Sequence, residues 1–122
     1  MRCLIVDDSA DFRDAASAML RRAGIDVVGL ASNSTEALRC YEDLHPDVAL
    51  VDVNLGSEDG FELTDRLHQV SAPNSLAVIL VSTYDESDFV ELIDGSPAIG
   101  FLQKISLSPH AIRDLIGHRA SR

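Results

Sequence analysis

The side chains best suited to chemistry in this sequence are polar residues that end apolar runs. Asp7-Asp8 follow Cys3-Leu4-Ile5-Val6, Asp52 follows Val48-Ala49-Leu50-Val51, Ser82 follows Ala77-Val78-Ile79-Leu80-Val81, and Lys104 follows Gly100-Phe101-Leu102-Gln103. Three carboxylates, a hydroxyl and an ammonium are an inventory fit for phosphoryl transfer. Carboxylates share a hard divalent cation, while a hydroxyl and an ammonium meet the charge spread over the equatorial oxygens of a phosphoryl group. A carboxylate also serves as nucleophile. The chemistry works only if residues scattered along nearly the whole chain converge.

Hydropathy patterning supplies the elements that would bring them together. Arg2 to Val6 reads as a buried strand. Phe12, Ala15, Ala16, Met19, Leu20 and Ala23 then share one helical face, and Gly24 supplies a stop. A second strand covers Asp26 to Ala31. Asn33 and Glu36 form an N-cap with a back-bonding glutamate for a helix through Leu44, which His45-Pro46 ends. The third strand is Val48 to Val51. Phe61, Leu63, Leu67 and Val70 mark a third helix, Ala77 to Val81 a fourth strand, Glu86 to Ile93 a shorter helix, and Gly100 to Gln103 a fifth strand. Ser108-Pro109 reads as N-cap and first residue of a last helix carrying Ile112, Leu115 and Ile116. Strands apolar on both faces mean a parallel sheet covered by helices. The expected architecture is an α/β, flavodoxin-like, doubly wound (βα)5 sandwich with strand order 2-1-3-4-5, as one domain over residues 1–122.

In such a sheet the ligand site lies beyond the carboxyl ends of the strands. Neighbouring strands are about 4.8 Å apart, so Asp7, Asp8 and Asp52 would crowd. At an effective dielectric of ~20, two charges 4 Å apart repel by about 4 kcal/mol. A protonated carboxyl or a bound cation must relieve this. An all-oxygen set favours magnesium, or manganese, over zinc. His45, His68, His110 and His118 fall in or beside helices and read as surface residues. Lys104 is placed on the fifth strand, about 10 Å from Asp52 at backbone level, a gap that a lysine stem mostly spans. Ser82 sits on the strand between them. Asp52 is central and is the best nucleophile.

Bulk composition narrows the function class. A net charge of -10 argues against direct binding of nucleic acid, and no apolar run reaches the length of a membrane span. The first residues turn acidic at Asp7-Asp8 after a very short apolar stretch and do not read as a signal peptide. Cys3 and Cys40 read as free thiols of a cytoplasmic protein.

With these residues in place, the sequence resembles the receiver domain of bacterial two-component response regulators from about Arg2 to Ile116. The likeness rests on Asp7-Asp8, on Asp52 with Gly60 eight residues later, on Ser82, and on Ala98-Ile99-Gly100-Phe101-Leu102-Gln103-Lys104. It implies that a sensor histidine kinase phosphorylates Asp52, and that the domain is a phosphoacceptor switch rather than a turnover enzyme. By the same likeness, Asp8 binds magnesium directly, Asp7 partly through water, with Asp52 and the Asn54 backbone carbonyl completing the set. Ser82 and Lys104 bind phosphoryl oxygens, and movement of Ser82 and Phe101 rearranges the face around the fourth helix, fifth strand and fifth helix for a partner or an output domain.

The sequence departs from the family pattern at four places. Ile105 replaces a proline after the lysine, so that peptide is expected trans and Lys104 differently aimed. Gly56 replaces another proline, which would loosen the loop after Asp52. Thr83 stands where alanine is common and would narrow access, and Phe101 lacks a tyrosine's hydroxyl.

The alternative reading is a degenerate receiver, a binding module that is never phosphorylated. A flavodoxin-like cofactor binder would need a phosphate-cradling loop where Asp7-Asp8 stand, and a haloacid-dehalogenase-like phosphatase a second acid at Asn54. Asp85, Glu86, Asp88, Glu91 and Asp94 against Arg113, Arg119 and Arg122 raise a homodimer through the fourth helix, fifth strand and fifth helix. The chain reads as a stand-alone receiver or a piece of a longer regulator.

Overall fold

The computed structural model describes residues 1–73 and 75–120, except the side chains of residues 118–120. The expectations for His118, Arg119 and Arg122 concern side chains outside that description. Strands β1 (Arg2–Val6), β2 (Asp26–Ala31), β3 (Val48–Asp52), β4 (Ala77–Ser82) and β5 (Gly100–Gln103) form one sheet in the order β2-β1-β3-β4-β5, with every pair parallel. Helices α1 (Ala10–Arg22), α2 (Ser34–Leu44), α3 (Gly60–Val70), α4 (Val90–Asp94) and α5 (Pro109–Ala120) connect and follow them. This is the doubly wound sandwich expected from the patterning.

Two cores lie on the two faces of the sheet because successive strand residues point to opposite sides. Leu4, Val6, Val51 and Leu80 pack with Ala37 of α2 and with Leu63 and Leu67 of α3. Ile5, Leu50 and Ile79 pack with Leu20 of α1 and Ile112 of α5. The winding direction therefore reverses between β1 and β3, whose carboxyl ends carry the acidic residues.

Side chains cap the helix starts, at Asn33 and Ser108 as expected and also at Ser9. Ser9 Oγ accepts the Phe12 N–H (3.3 Å), Asn33 Oδ1 the Glu36 N–H (2.9 Å), and Ser108 Oγ the Ala111 N–H (3.0 Å). The Glu36 carboxylate bonds back one residue earlier than a standard capping box, to the Ser32 N–H (2.8 Å) and hydroxyl (2.7 Å). In α1 the buried face takes Ser17 and leaves Ala15 exposed, and at the end of α3 Val70 is exposed.

Four sequence expectations need correction. The single helix over Glu86 to Ile93 is a 3-10 turn (Glu86–Phe89) followed by the short α4. Neither piece has a buried residue, so little packing energy holds a continuous helix against its crowded acids. Lys104 lies just past β5, opening a 3-10 turn over Lys104–Ser106. The Lys104–Ile105 peptide is trans, as expected, but Lys104 is not turned away from the acids, as described below. The segment after Asp52 is not loosened by Gly56. It forms a hairpin in which Asn54–Leu55 pair with Glu58–Asp59. Gly56 has φ of 65°, the left-handed region that proline cannot enter, and as first loop residue it fits a type II′ turn. Leu55 is buried, and Glu58 Oε1 accepts the Ser34 N–H (2.9 Å), tying the hairpin to the start of α2.

Candidate functional site

Val6 of β1 is paired with Val51 of β3, so Asp7 and Asp52 leave the sheet side by side. Asp8 follows on the exposed rim. Carboxylate oxygens of Asp7, Asp8 and Asp52 lie within 4.8 Å of one another. Asp7 is fully buried and Asp52 nearly so.

Lys104 reaches both buried acids. Its Nζ is 2.7 Å from Asp7 Oδ2 and 2.9 Å from Asp52 Oδ2, and its side chain is 16% exposed. Of the sequence-derived residues, Asp7, Asp8, Asp52 and Lys104 are thus brought into one cluster. Three carboxylates against one ammonium leave an excess of negative charge that a divalent cation would offset. Burial pushes the Asp52 carboxyl above its ordinary value, and the negative charge of Asp7 pushes the same way. The Asn54 N–H and the Lys104 ammonium pull it back without cancelling the rise. Burial draws Lys104 down, but its contacts with Asp7 and Asp52 outweigh this and its pKa is raised, so it stays cationic.

Further donors and acceptors are fixed by local backbone geometry. Asp7 Oδ1 accepts the Ser9 N–H (2.9 Å), while Asp7 Oδ2 is buried and has no well-directed hydrogen bond despite its proximity to Lys104. Asp52 Oδ1 accepts the Asn54 N–H (3.0 Å). The Gly60 N–H bonds the Val53 carbonyl (2.9 Å), which by the alternation of antiparallel ladders makes Asn54 and Asp59 a non-hydrogen-bonded pair. The hairpin partner therefore leaves the Asn54 carbonyl unclaimed. Hard carboxylate oxygens, an underused buried oxygen and a spare carbonyl fit magnesium or manganese and not a soft metal. The exposed side chains of His45, His68 and His110 take no part.

Ser82 is buried at the end of β4, one residue beyond Val81, the partner of Asp52. Its Oγ accepts the Tyr84 N–H (3.0 Å), and among the described hydrogen bonds it has none to Asp52 or Lys104. Thr83 is exposed, and its carbonyl accepts from Gln103 Nε2 (3.2 Å). Phe101 on β5 is half-buried beside Phe89, ring centroids 5.9 Å apart, and Phe89 in turn meets Phe61 of α3 at 6.0 Å. Cys3 and Cys40 are free thiols on β1 and α2, and burial pushes the Cys3 thiol up to about 12, so it is inert.

Gly60, marked in the sequence by its interval from Asp52, lies against the backbone of Asp52 and Val53. One site feature is not marked in the sequence: Phe12 lies over Lys104 with its ring centroid 4.4 Å from Nζ. Phe12 carried no signal beyond its place in an apolar helical stripe.

The chain and its fold are similar to known proteins. The chain matches the response regulator receiver domain model over residues 3–116. It is 30% identical over 115 residues to the transcriptional regulatory protein PdtaR of Mycobacterium tuberculosis, covering 94% of this chain and 53% of that protein. It is 35% identical over 91 residues to a protein-glutamate methylesterase/protein-glutamine glutaminase of Halobacterium salinarum, covering 75% of this chain and 26% of that protein. The chain thus spans between about a quarter and about half of these curated relatives. Among solved structures it superposes on chemotaxis protein CheY4 of Vibrio cholerae with a TM-score of 0.82 at 26% identity, covering 96% of each chain. It superposes on the signal receiver domain of NarL from Mycobacterium tuberculosis with a TM-score of 0.83 at 29% identity, covering 99% and 97%. Sheet order, acidic cluster and family match agree, and the chain belongs to the response regulator receiver domain family.

Proposed function

We propose that Asp52 is the phosphoacceptor of a cytoplasmic phosphorelay and that a sensor histidine kinase is its donor. The observation that carries this reading is the Lys104 ammonium set 2.7 Å and 2.9 Å from the carboxylates of Asp7 and Asp52 at the sheet edge. An Asp52 carboxylate oxygen attacks phosphorus, a P–O bond forms, the P–N bond to the donor histidine breaks, and the product is an aspartyl phosphate. Asp7, Asp8, Asp52 and the Asn54 carbonyl would hold magnesium, or manganese, which supplies charge neutralisation to the phosphoryl oxygens when bound. Lys104 moves from the carboxylates onto a phosphoryl oxygen, and the Ser82 hydroxyl turns from Tyr84 to another. These residues make the domain a switch that accepts and releases one group.

The same movement transmits the state. Ser82 pulls on the segment before the weakly packed 3-10 turn and α4, and Phe101 shifts against Phe89, so the α4-β5-α5 face is remade for a partner protein or an output domain. A homodimer through that face belongs to this reading. Its exposed Val90 and Leu92 supply apolar area, and Arg113 donates to the Ala23 carbonyl (2.8 Å) within its own chain, so it contributes less to a dimer than its charge implies. Sedimentation in beryllofluoride and magnesium is expected to show dimers; a monomer removes this part.

The test of the main reading is incubation with acetyl phosphate. Intact mass is expected to show one added phosphoryl group with magnesium, none with a chelator, and none in Asp52→Asn. A chain left unmodified under all conditions would favour the phosphorylation-independent binding module.

A further inference from the structure

We infer that Phe12 is a positioning residue for Lys104, its ring holding the ammonium over the site when the carboxylates that anchor it are engaged elsewhere. This rests on the reading of Asp52 as phosphoacceptor. The ammonium lies 4.4 Å from the ring centroid, inside the ~6 Å range of cation–π attraction.

The ring is placed by the site itself. The Ser9 N–H donates to Asp7 Oδ1 (2.9 Å), and Ser9 Oγ accepts the Phe12 N–H (3.3 Å). Phe12 faces Lys104, and Lys104 returns to Asp7 Oδ2 at 2.7 Å. Asp7, Ser9, Phe12 and Lys104 therefore form a closed circuit. Phe12 is also half-buried against the core on the α1 side of the sheet, which limits its freedom to swing away.

The need for such a contact follows from competition. Both carboxylates that hold Lys104 are wanted by the cation, and Asp52 is also the atom donor for the new P–O bond. Once they are engaged, a lysine stem with four carbons gains freedom to rotate into water. A carboxylate placed beside it would bind the cation or neutralise the ammonium. An aromatic face does neither, since it attracts positive charge while carrying none. A purely structural Phe12 would be replaced equally well by leucine, which offers apolar bulk without the quadrupole.

The experiment compares wild type, Phe12→Leu and Phe12→Tyr, each first shown to fold by thermal unfolding. The Lys104 ε-methylene resonance is expected upfield, from the ring current, in wild type and Phe12→Tyr, both before and after magnesium is added, and at its ordinary position in Phe12→Leu. With acetyl phosphate at saturating magnesium, Phe12→Leu is expected to react about threefold to thirtyfold more slowly, the span a cation–π contact supplies. Phe12→Tyr restores the wild-type rate. An ordinary Lys104 resonance in the magnesium-loaded wild type, or a Phe12→Leu rate equal to wild type, overturns the inference. If no variant accepts a phosphoryl group, the phosphoacceptor reading fails on its own, and the resonance in magnesium alone decides for or against Phe12.

Discussion

Lys104→Met lowers the stability of the metal-free protein at neutral pH by about 3 kcal/mol and slows phosphoryl acceptance by about a hundredfold or more. The first effect follows from burial. Asp7 and Asp52 have side chains 0% and 8% exposed, and Lys104 is the cation the structure places between them. Removing it leaves two buried carboxylates facing each other with no other ion pair to either among the described residues. The pH dependence has a defined sign. Burial already raises Asp52 above the ordinary 3.8, so between that value and its folded-state value the folded form binds more protons than the unfolded. Stability from this group falls as pH rises through the window, and loss of Lys104 widens the window upward. The variant should therefore match wild type in acid and diverge toward neutrality. Lys104 itself is raised, so its contribution is fully present below the ordinary 10.5 and lost as pH climbs through its folded-state value. Urea unfolding across pH, with and without magnesium, measures this. Magnesium should recover stability in the variant without recovering the rate, because the missing donor to the phosphoryl oxygen has no substitute. A variant that unfolds like wild type at neutral pH would mean the ion pairs are not formed.

Gly60→Ala is the other substitution with a large expected effect, at about 3 kcal/mol of stability and about a hundredfold in phosphorylation rate. A Cβ on residue 60 would sit 2.8 Å from Val53 Cα and 2.9 Å from the Asp52 carbonyl carbon. These are backbone atoms, which cannot rotate aside as a side chain would. Either the start of α3 or the nucleophile's own backbone must move, and either shift also strains the 2.9 Å bond from the Gly60 N–H to the Val53 carbonyl. Gly117 on α5 provides the control, since its Cβ would meet nothing within 4 Å. Gly117→Ala should gain up to about 1 kcal/mol from helix propensity and leave the rate alone. Equal behaviour of the two alanine variants would contradict the packing described around Asp52.

The strands and the site they carry were legible because burial on both faces of a parallel sheet leaves no room for polar residues. Asp7, Asp52 and Ser82 stand out for the same reason. The region after β4 was harder to read. Its 3-10 turn and α4 bury no residue, so no apolar period marks where one ends and the other begins. The hairpin after Asp52 is hidden in the sequence because Gly56, a glycine in place of a proline, reads as a loss of stiffness. Its positive φ instead closes a two-residue loop, and the alternation of buried Val53 and Leu55 with exposed Asn54 was the missed sign of strand structure. Phe12 was beyond the reach of sequence. A phenylalanine in the apolar stripe of α1 has the same pattern whether it meets leucine or an ammonium, and only the position of Lys104 across the sheet distinguishes them.

The central claim is that one carboxylate, Asp52, is the atom on which the phosphoryl group arrives. Reduction of the acetyl phosphate-treated protein with borohydride, followed by peptide mass mapping, reads that residue directly, since an acyl phosphate is reduced to the alcohol at its own side chain. The expected result is a single reduced residue at position 52, formed only with magnesium. Reduction at Asp7 or Asp8 instead, or a phosphoryl group retained on a histidine, would contradict it.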